Sequence, residues 1–130
     1  MDKIPLPYNH KNMKQNIIKD KSSIFAIEIV KFCEILFKNK EFIISNQLKK
    51  SGTSIGAQIR EAEHAQSKAD FVNKLSIAQK ETNETIYWLE ILYNLEFTDK
   101  EEIQKLQNSV IELLKILTSI IKSSKKNLKH

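Results

Sequence analysis

Glu61 and His64 stand three residues apart in the run Glu61-Ala-Glu-His64, the spacing that puts a carboxylate and an imidazole on one face of a helix. A Glu-x-x-His unit binds iron in carboxylate bundles, but it works in two copies, with two further glutamates pointing inward. The other histidines, His10 and His130, sit near the ends of the chain with no matching glutamate. No metal site is therefore expected, and His64 reads as a solvated residue near a turn. Cys33 is the only cysteine, so no internal disulfide can form, and it falls on an apolar stripe away from any histidine, where it reads as a core residue. The stretch Ser51-Gly-Thr-Ser-Ile-Gly56 has the look of a phosphate loop, yet Ala57 follows Gly56 where that motif needs lysine and then serine or threonine. Glu81, Glu84 and Glu90 could pair for acid–base work, but Lys80 and Glu84 have the spacing of an ordinary ion pair on a helix surface. The expectation is a chain that is not an enzyme, with no catalytic, cofactor-binding or metal-binding residue.

What remains is charge. The net charge of +5 is unevenly spread. Residues 113–130 hold Lys115, Lys122, Lys125, Lys126 and Lys129 and no acid, and residues 1–21 hold five lysines against Asp2 and Asp20. The intervening 22–112 hold 11 basic and 14 acidic residues. Lysine-rich ends on a mildly acidic body point to phosphate contacts, so Lys115, Lys122, Lys125, Lys126 and Lys129 are the candidate nucleic-acid contacts, to RNA or DNA. No interleaving of aromatic and basic residues marks a surface that reads bases.

These residues must be carried by helices, because two glycines and two prolines in 130 residues leave too few turn formers for a sheet. Ile103, Leu106, Val110, Leu113, Leu117 and Ile120 alternate in steps of three and four, a seam for a helix at about 99–125, with Thr98 and Glu101 at capping-box spacing. Phe71, Leu75, Ala78, Thr82, Thr85, Leu89 and Leu92 form the seam of a helix at about 67–95 that starts at Ser67 and Asp70. Ile44, Leu48, Ser51, Ile55, Ile59 and Ala62 mark one at 45–64, with Ser45 as N-cap. The first helix, 23–38, shows two adjacent stripes: Phe25, Ile29, Phe32 and Leu36 beside Ala26, Val30, Cys33 and Phe37. So wide an apolar face predicts a subunit interface through Phe25, Ile29, Phe32 and Leu36. Short connections make neighbours antiparallel, giving an all-α, up-and-down four-helix bundle over 22–125. Pro5 and Pro7 make 1–21 an extended arm, and 126–130 reads as a basic tail. Gly52 and Gly56 lie one turn apart in the second helix, and their spacing predicts a close crossing onto the third, with Gly52 level with Ala78 and Gly56 with Leu75. The same register sets Lys50 near Glu81, and Gly52→Leu is expected to overpack the crossing. No apolar run reaches the length of a membrane span and no signal-like core opens the chain, so a soluble, cytoplasmic protein is expected.

The segments SGTSIGAQIREA (51–62), AQSKADF (65–71), KLSIAQKETNETIYWLE (74–90) and LLKILTSIIK (113–122) closely resemble the bacterial four helix bundle protein family, whose founding members are encoded in intervening sequences of 23S ribosomal RNA genes. The likeness extends upstream through NIIKDKSSIFAIEIVKF (16–32). The resemblance implies a left-handed bundle assembled as a homopentamer, and similarity to the basic pentameric accessory protein of diversity-generating retroelements, which works with a reverse transcriptase and nucleic acid. It supplies no catalytic residues. The reading is a homo-oligomeric bundle of undetermined molecular role that binds RNA or DNA through its lysine-rich ends. The alternative is a protein–protein interaction scaffold with no nucleic-acid role.

Overall fold

The computed structural model describes residues 13–96 and 98–128. Four helices make up the fold: α1 (Met13–Lys38), α2 (Phe42–Glu63), α3 (Lys68–Tyr93) and α4 (Lys100–Leu128). The described residues contain no strand. Each helix packs on the next, and α1 closes the ring more sparsely against α4, while among the described residues the backbones of the diagonal pairs stay apart. The result is a four-helix bundle around one core.

The core follows the seams. All six seam residues of α4 are buried, joined by Ile121, and α3 buries Leu75, Ala78, Thr82, Thr85, Leu89 and Leu92, with Val72 taking the place of Phe71 at the first turn. The polar centre of that seam is satisfied internally. Thr85 Oγ1 donates to Ser51 Oγ of α2 at 2.9 Å, with the Glu81 carbonyl 2.8 Å from the same hydroxyl, and Thr82 donates to the Gln79 carbonyl. Burying hydroxyls without partners would be costly; here each is matched.

The helix ends differ from expectation in four places. α1 starts at Met13, not Ser23, so residues 13–21 are helical and no extended arm runs through them; residues 1–12 lie outside the described residues. Ser22 and Ser23 lie inside the helix, where both hydroxyls donate back to the Lys19 carbonyl, a bond that short polar side chains make within a helix. Ile18 is buried and anchors the added turns to the core. α2 starts at Phe42, because Ser45 is no cap: it is buried and its hydroxyl donates to the Cys33 carbonyl at 2.9 Å. The turn before it is closed by Lys40 at φ 65°, with Glu41 N–H bonded to Leu36 O and Lys40 N–H to Phe37 O, the paired bonds of a Schellman stop. At α4 it is Asp99 rather than Thr98 that caps, its carboxylate accepting from the Glu101 and Glu102 N–H groups. The fourth difference is at the other end of α4, which continues to Leu128 through the expected start of the tail. Ser67 caps α3 as expected, accepting from Asp70 N–H at 3.0 Å.

Gly52 and Gly56 do face a close crossing, but against α1. A Cβ added at Gly52 would lie 2.8 Å from Ile29 Cγ2, and one at Gly56 would lie 3.5 Å from the Ser22 carbonyl oxygen and hydroxyl. The expected pairing with Ala78 and Leu75 of α3 is therefore replaced by Ile29 and Ser22. The α2 seam is flanked on both sides, and periodicity alone does not say which neighbour takes which flank. Neither glycine has positive φ, so what they supply is space rather than an unusual backbone.

Phe25, Ile29, Phe32 and Leu36 are buried within the single chain, at 5% exposure or less. They form the α1 contribution to the core and are not available as a subunit interface. The apolar residues that α1 exposes are Met13, Ile17, Ile24, Ile27, Ile35 and Phe37.

The two glycines should respond differently to alanine. Ile29 is β-branched and wholly buried, so Cγ2 cannot swing away, and overpacking of about 1–3 kcal/mol outweighs the roughly 1 kcal/mol gained in helix propensity. Gly52→Ala should lower the urea midpoint and Gly52→Leu should lower it further. Gly56→Ala, at an ordinary contact distance, should leave stability unchanged or raise it by up to about 1 kcal/mol. Equal midpoints for the two alanine variants would refute the α1–α2 close approach.

Candidate functional site

Antiparallel packing gathers at one end of the bundle the start of α1, the end of α2, the start of α3 and the end of α4. The described residues of this half, 13–25, 55–80 and 111–128, carry 11 basic and five acidic side chains. The opposite half, 26–54 and 81–110, carries seven basic and ten acidic ones. Charge that appears in sequence as two separate basic ends is thus one basic end in space.

Lys115, Lys122, Lys125 and Lys126 are all exposed on α4; Lys129 lies outside the described residues. Lys115, Lys122 and Lys126 are seven and four residues apart and share one face of the helix. Between them, Ser119 receives a hydrogen bond from Lys14 Nζ of α1 at 2.6 Å. Glu112, the sole acid among residues 111–128, is met by Lys21 Nζ at 2.6 Å in a half-exposed pair. On the α2 side Lys19 pairs with Glu63 at 3.2 Å. Sequence reasoning missed Lys14 because residues 1–21 were read as an arm, whereas the turns from Met13 onward pack beside the end of α4.

The other sequence motifs come apart. His64 is exposed and ends α2, Glu61 is exposed, and Glu63 is turned to Lys19. Among the described residues no three His, Cys, Asp or Glu side chains come together as metal ligands. The Ser51–Gly56 stretch is helix interior. Burial, with the neighbouring Glu84, raises the Glu81 carboxyl above its usual range, while Lys50 and Lys80 pull it back, so the expected nearness of Lys50 and Glu81 holds. Shallow grooves among the described residues include one lined by Glu90, Tyr93, Asn94, Gln104 and Gln107 and one between α1 and α4 over Phe32, Ile35 and Leu36. No described helix is long and apolar enough to cross a membrane.

Cys33 is buried, and that burial pushes its thiol up to about 11, against smaller opposing effects of Ser45 and Lys49. It is a poor nucleophile in this setting.

The fold places the described residues in the class of antiparallel four-helix bundles, here with one charged end. Residues 14–119 match the 23S rRNA-intervening sequence protein family, and the chain belongs to it. It is similar to a protein of unknown function from the S23 ribosomal protein family of Bacteroides thetaiotaomicron VPI-5482, whose crystal structure is known. The identity is 54%, covering 85% of this chain and 99% of that one, with a TM-score of 0.82. No curated protein matches the chain.

The Cys33 thiol gives a signed pH dependence. Its folded pKa stands above the unfolded value of 9.0, so its contribution is complete below pH 9 and is lost as pH rises towards about 11. Wild type should therefore lose up to about 2 kcal/mol more stability over that window than Cys33→Ala does. Parallel urea titrations of the two proteins test this, and identical pH profiles would contradict it.

Proposed function

We propose that this protein is a non-enzymatic, cytoplasmic, homo-oligomeric nucleic-acid-binding bundle whose lysine-rich end contacts the phosphates of RNA or DNA. The observation that carries the reading is the charge polarity of the folded chain: one half has an excess of six basic residues and the other an excess of three acidic ones. Neutralising phosphates releases condensed counterions, so such an end binds polyanions with an affinity that falls steeply with salt. The family name is in keeping with an RNA connection, through the genes in which its founding members lie.

Assembly would multiply the end. Ile17, Ile24 and Ile35 share a face of α1, seven and eleven residues apart, and Ile27 adjoins it; Ile24, Ile27 and Ile35 are each more than half exposed. This face replaces the buried Phe25, Ile29, Phe32 and Leu36 as the proposed contact between copies, in a homopentamer as the family resemblance implies. Several basic ends held together bind one strand with an avidity that a single end lacks.

A second reading, the protein-interaction scaffold, draws on a different observation. Phe37, Phe42, Ile43, Tyr87 and Tyr93 are exposed in the acidic half, away from the lysines.

The test is binding to a structured RNA across a salt series. Replacing Lys122, Lys125 and Lys126 together by glutamine should flatten the dependence of log affinity on log salt by about 2–3 units. Unchanged binding in that variant would remove the lysine end from the reading, and binding of a protein partner retained by it would favour the scaffold. Ile24→Asp should shift the sedimentation coefficient towards that of a monomer; an unaltered coefficient would rule out this face of α1 as the contact.

A further inference from the structure

We infer that the polyanion site is a composite seam built from α1 and α4, in which Lys14 acts with Lys115, Lys122 and Lys126, and that it takes the backbone of a duplex rather than an unstacked single strand. This deepens the nucleic-acid reading above and rests on it.

Three observations carry the seam. Lys14 Nζ reaches Ser119 Oγ at 2.6 Å, so its ammonium lies on the α4 surface. Ser119 is four residues after Lys115 and three before Lys122, one helical turn from each, so Lys14 fills the gap between them. The nearest acid on that helix, Glu112, is neutralised by Lys21, again from α1. From Lys115 to Lys126 the seam runs about 16 Å along α4. It lies on the helical body, and α4 continues past its last lysine to Leu128, so the ligand is met by helices.

The choice of duplex follows from where the aromatic side chains are. Proteins that hold single strands without sequence preference stack bases on exposed aromatics beside a basic groove. Among the described residues the exposed aromatics are Phe37, Phe42, Tyr87 and Tyr93, all in the acidic half. Among the described residues the lysine seam has charge beside it and no exposed aromatic ring, which suits the denser and more regular phosphates of a paired helix.

The experiment measures binding of the full chain to a short RNA duplex, a DNA duplex and an oligouridylate of the same length, each across a salt series. Wild type should bind both duplexes more tightly than the single strand at every salt concentration. Lys14→Gln should lower the duplex salt slope by about one unit, as Lys122→Gln should, although the two positions are more than a hundred residues apart in sequence. Lys105→Gln, exposed at the other end of the bundle, should leave the slope unchanged. A cation in the first turn opposes the helix dipole, so Lys14→Gln should not lower the melting temperature, and an unchanged melt confirms that a lost slope is not lost fold. If Lys14→Gln binds like wild type while Lys122→Gln is weakened, the composite seam is wrong and the broader reading stands. Preference for oligouridylate overturns the duplex assignment alone. No binding to any nucleic acid, with or without capture by anionic phospholipid vesicles, overturns the proposed function and this inference with it.

Discussion

The close approach of α1 to α2 at Gly52 governs the rest of the bundle. Ile29 is fully buried against a position that has no side chain, and that fit fixes how the two helices slide past each other. Once it is fixed, Ser22 lies against Gly56, Ser45 reaches the Cys33 carbonyl, and Lys19 meets Glu63. A short left-handed stop at Lys40 connects these closely set helices. The chain has two glycines and uses neither at that stop, where one would relieve the backbone, but spends both on interhelical space. Packing, not turn geometry, is where this sequence needs glycine.

The register has electrostatic consequences. Because α1 is held along its whole length, its first turns lie beside the last turns of α4, and lysines from the two extremes of the described chain fall on one surface. The acidic residues of α3 and the start of α4 collect at the other end for the same topological reason. Neither half needs a dedicated binding loop to become charged.

The helices were legible where one apolar stripe faces one core. The α4 seam was read residue for residue, and that of α3 nearly so, because a three-four alternation can only be satisfied by a helix with a single buried face. Legibility failed where one feature has two physical explanations. Pro5 and Pro7 argue against helix only around themselves, while Ser22 and Ser23 fit back-bonding inside a helix, so local sequence does not mark where α1 begins. The wide apolar face of α1 fits an oligomer contact and also fits contact with two neighbours in the same bundle. Phe25, Ile29, Phe32 and Leu36 turned out to serve the second purpose, while Phe37 of the adjacent stripe and Met13, Ile17, Ile24, Ile27 and Ile35, outside both stripes, are left facing solvent. The lysines of α4 were found from composition, but Lys14 was not, since only the folded arrangement shows that Ser119 is within its reach.

The unequal halves also make the molecule an electric dipole, with its positive pole at the lysine end. In the field of a long polyanion such a body turns before it touches, so that encounters are biased towards productive orientation and association is faster than random collision would give. The effect is greatest at low ionic strength and fades once the distance exceeds a Debye length, about 8 Å under physiological conditions. In a ring of copies lying parallel these moments add, and the assembly would present one attractive rim and one repulsive rim to a phosphate chain. An antiparallel ring would cancel them, so the sense in which copies are stacked decides whether the particle has a preferred side of approach.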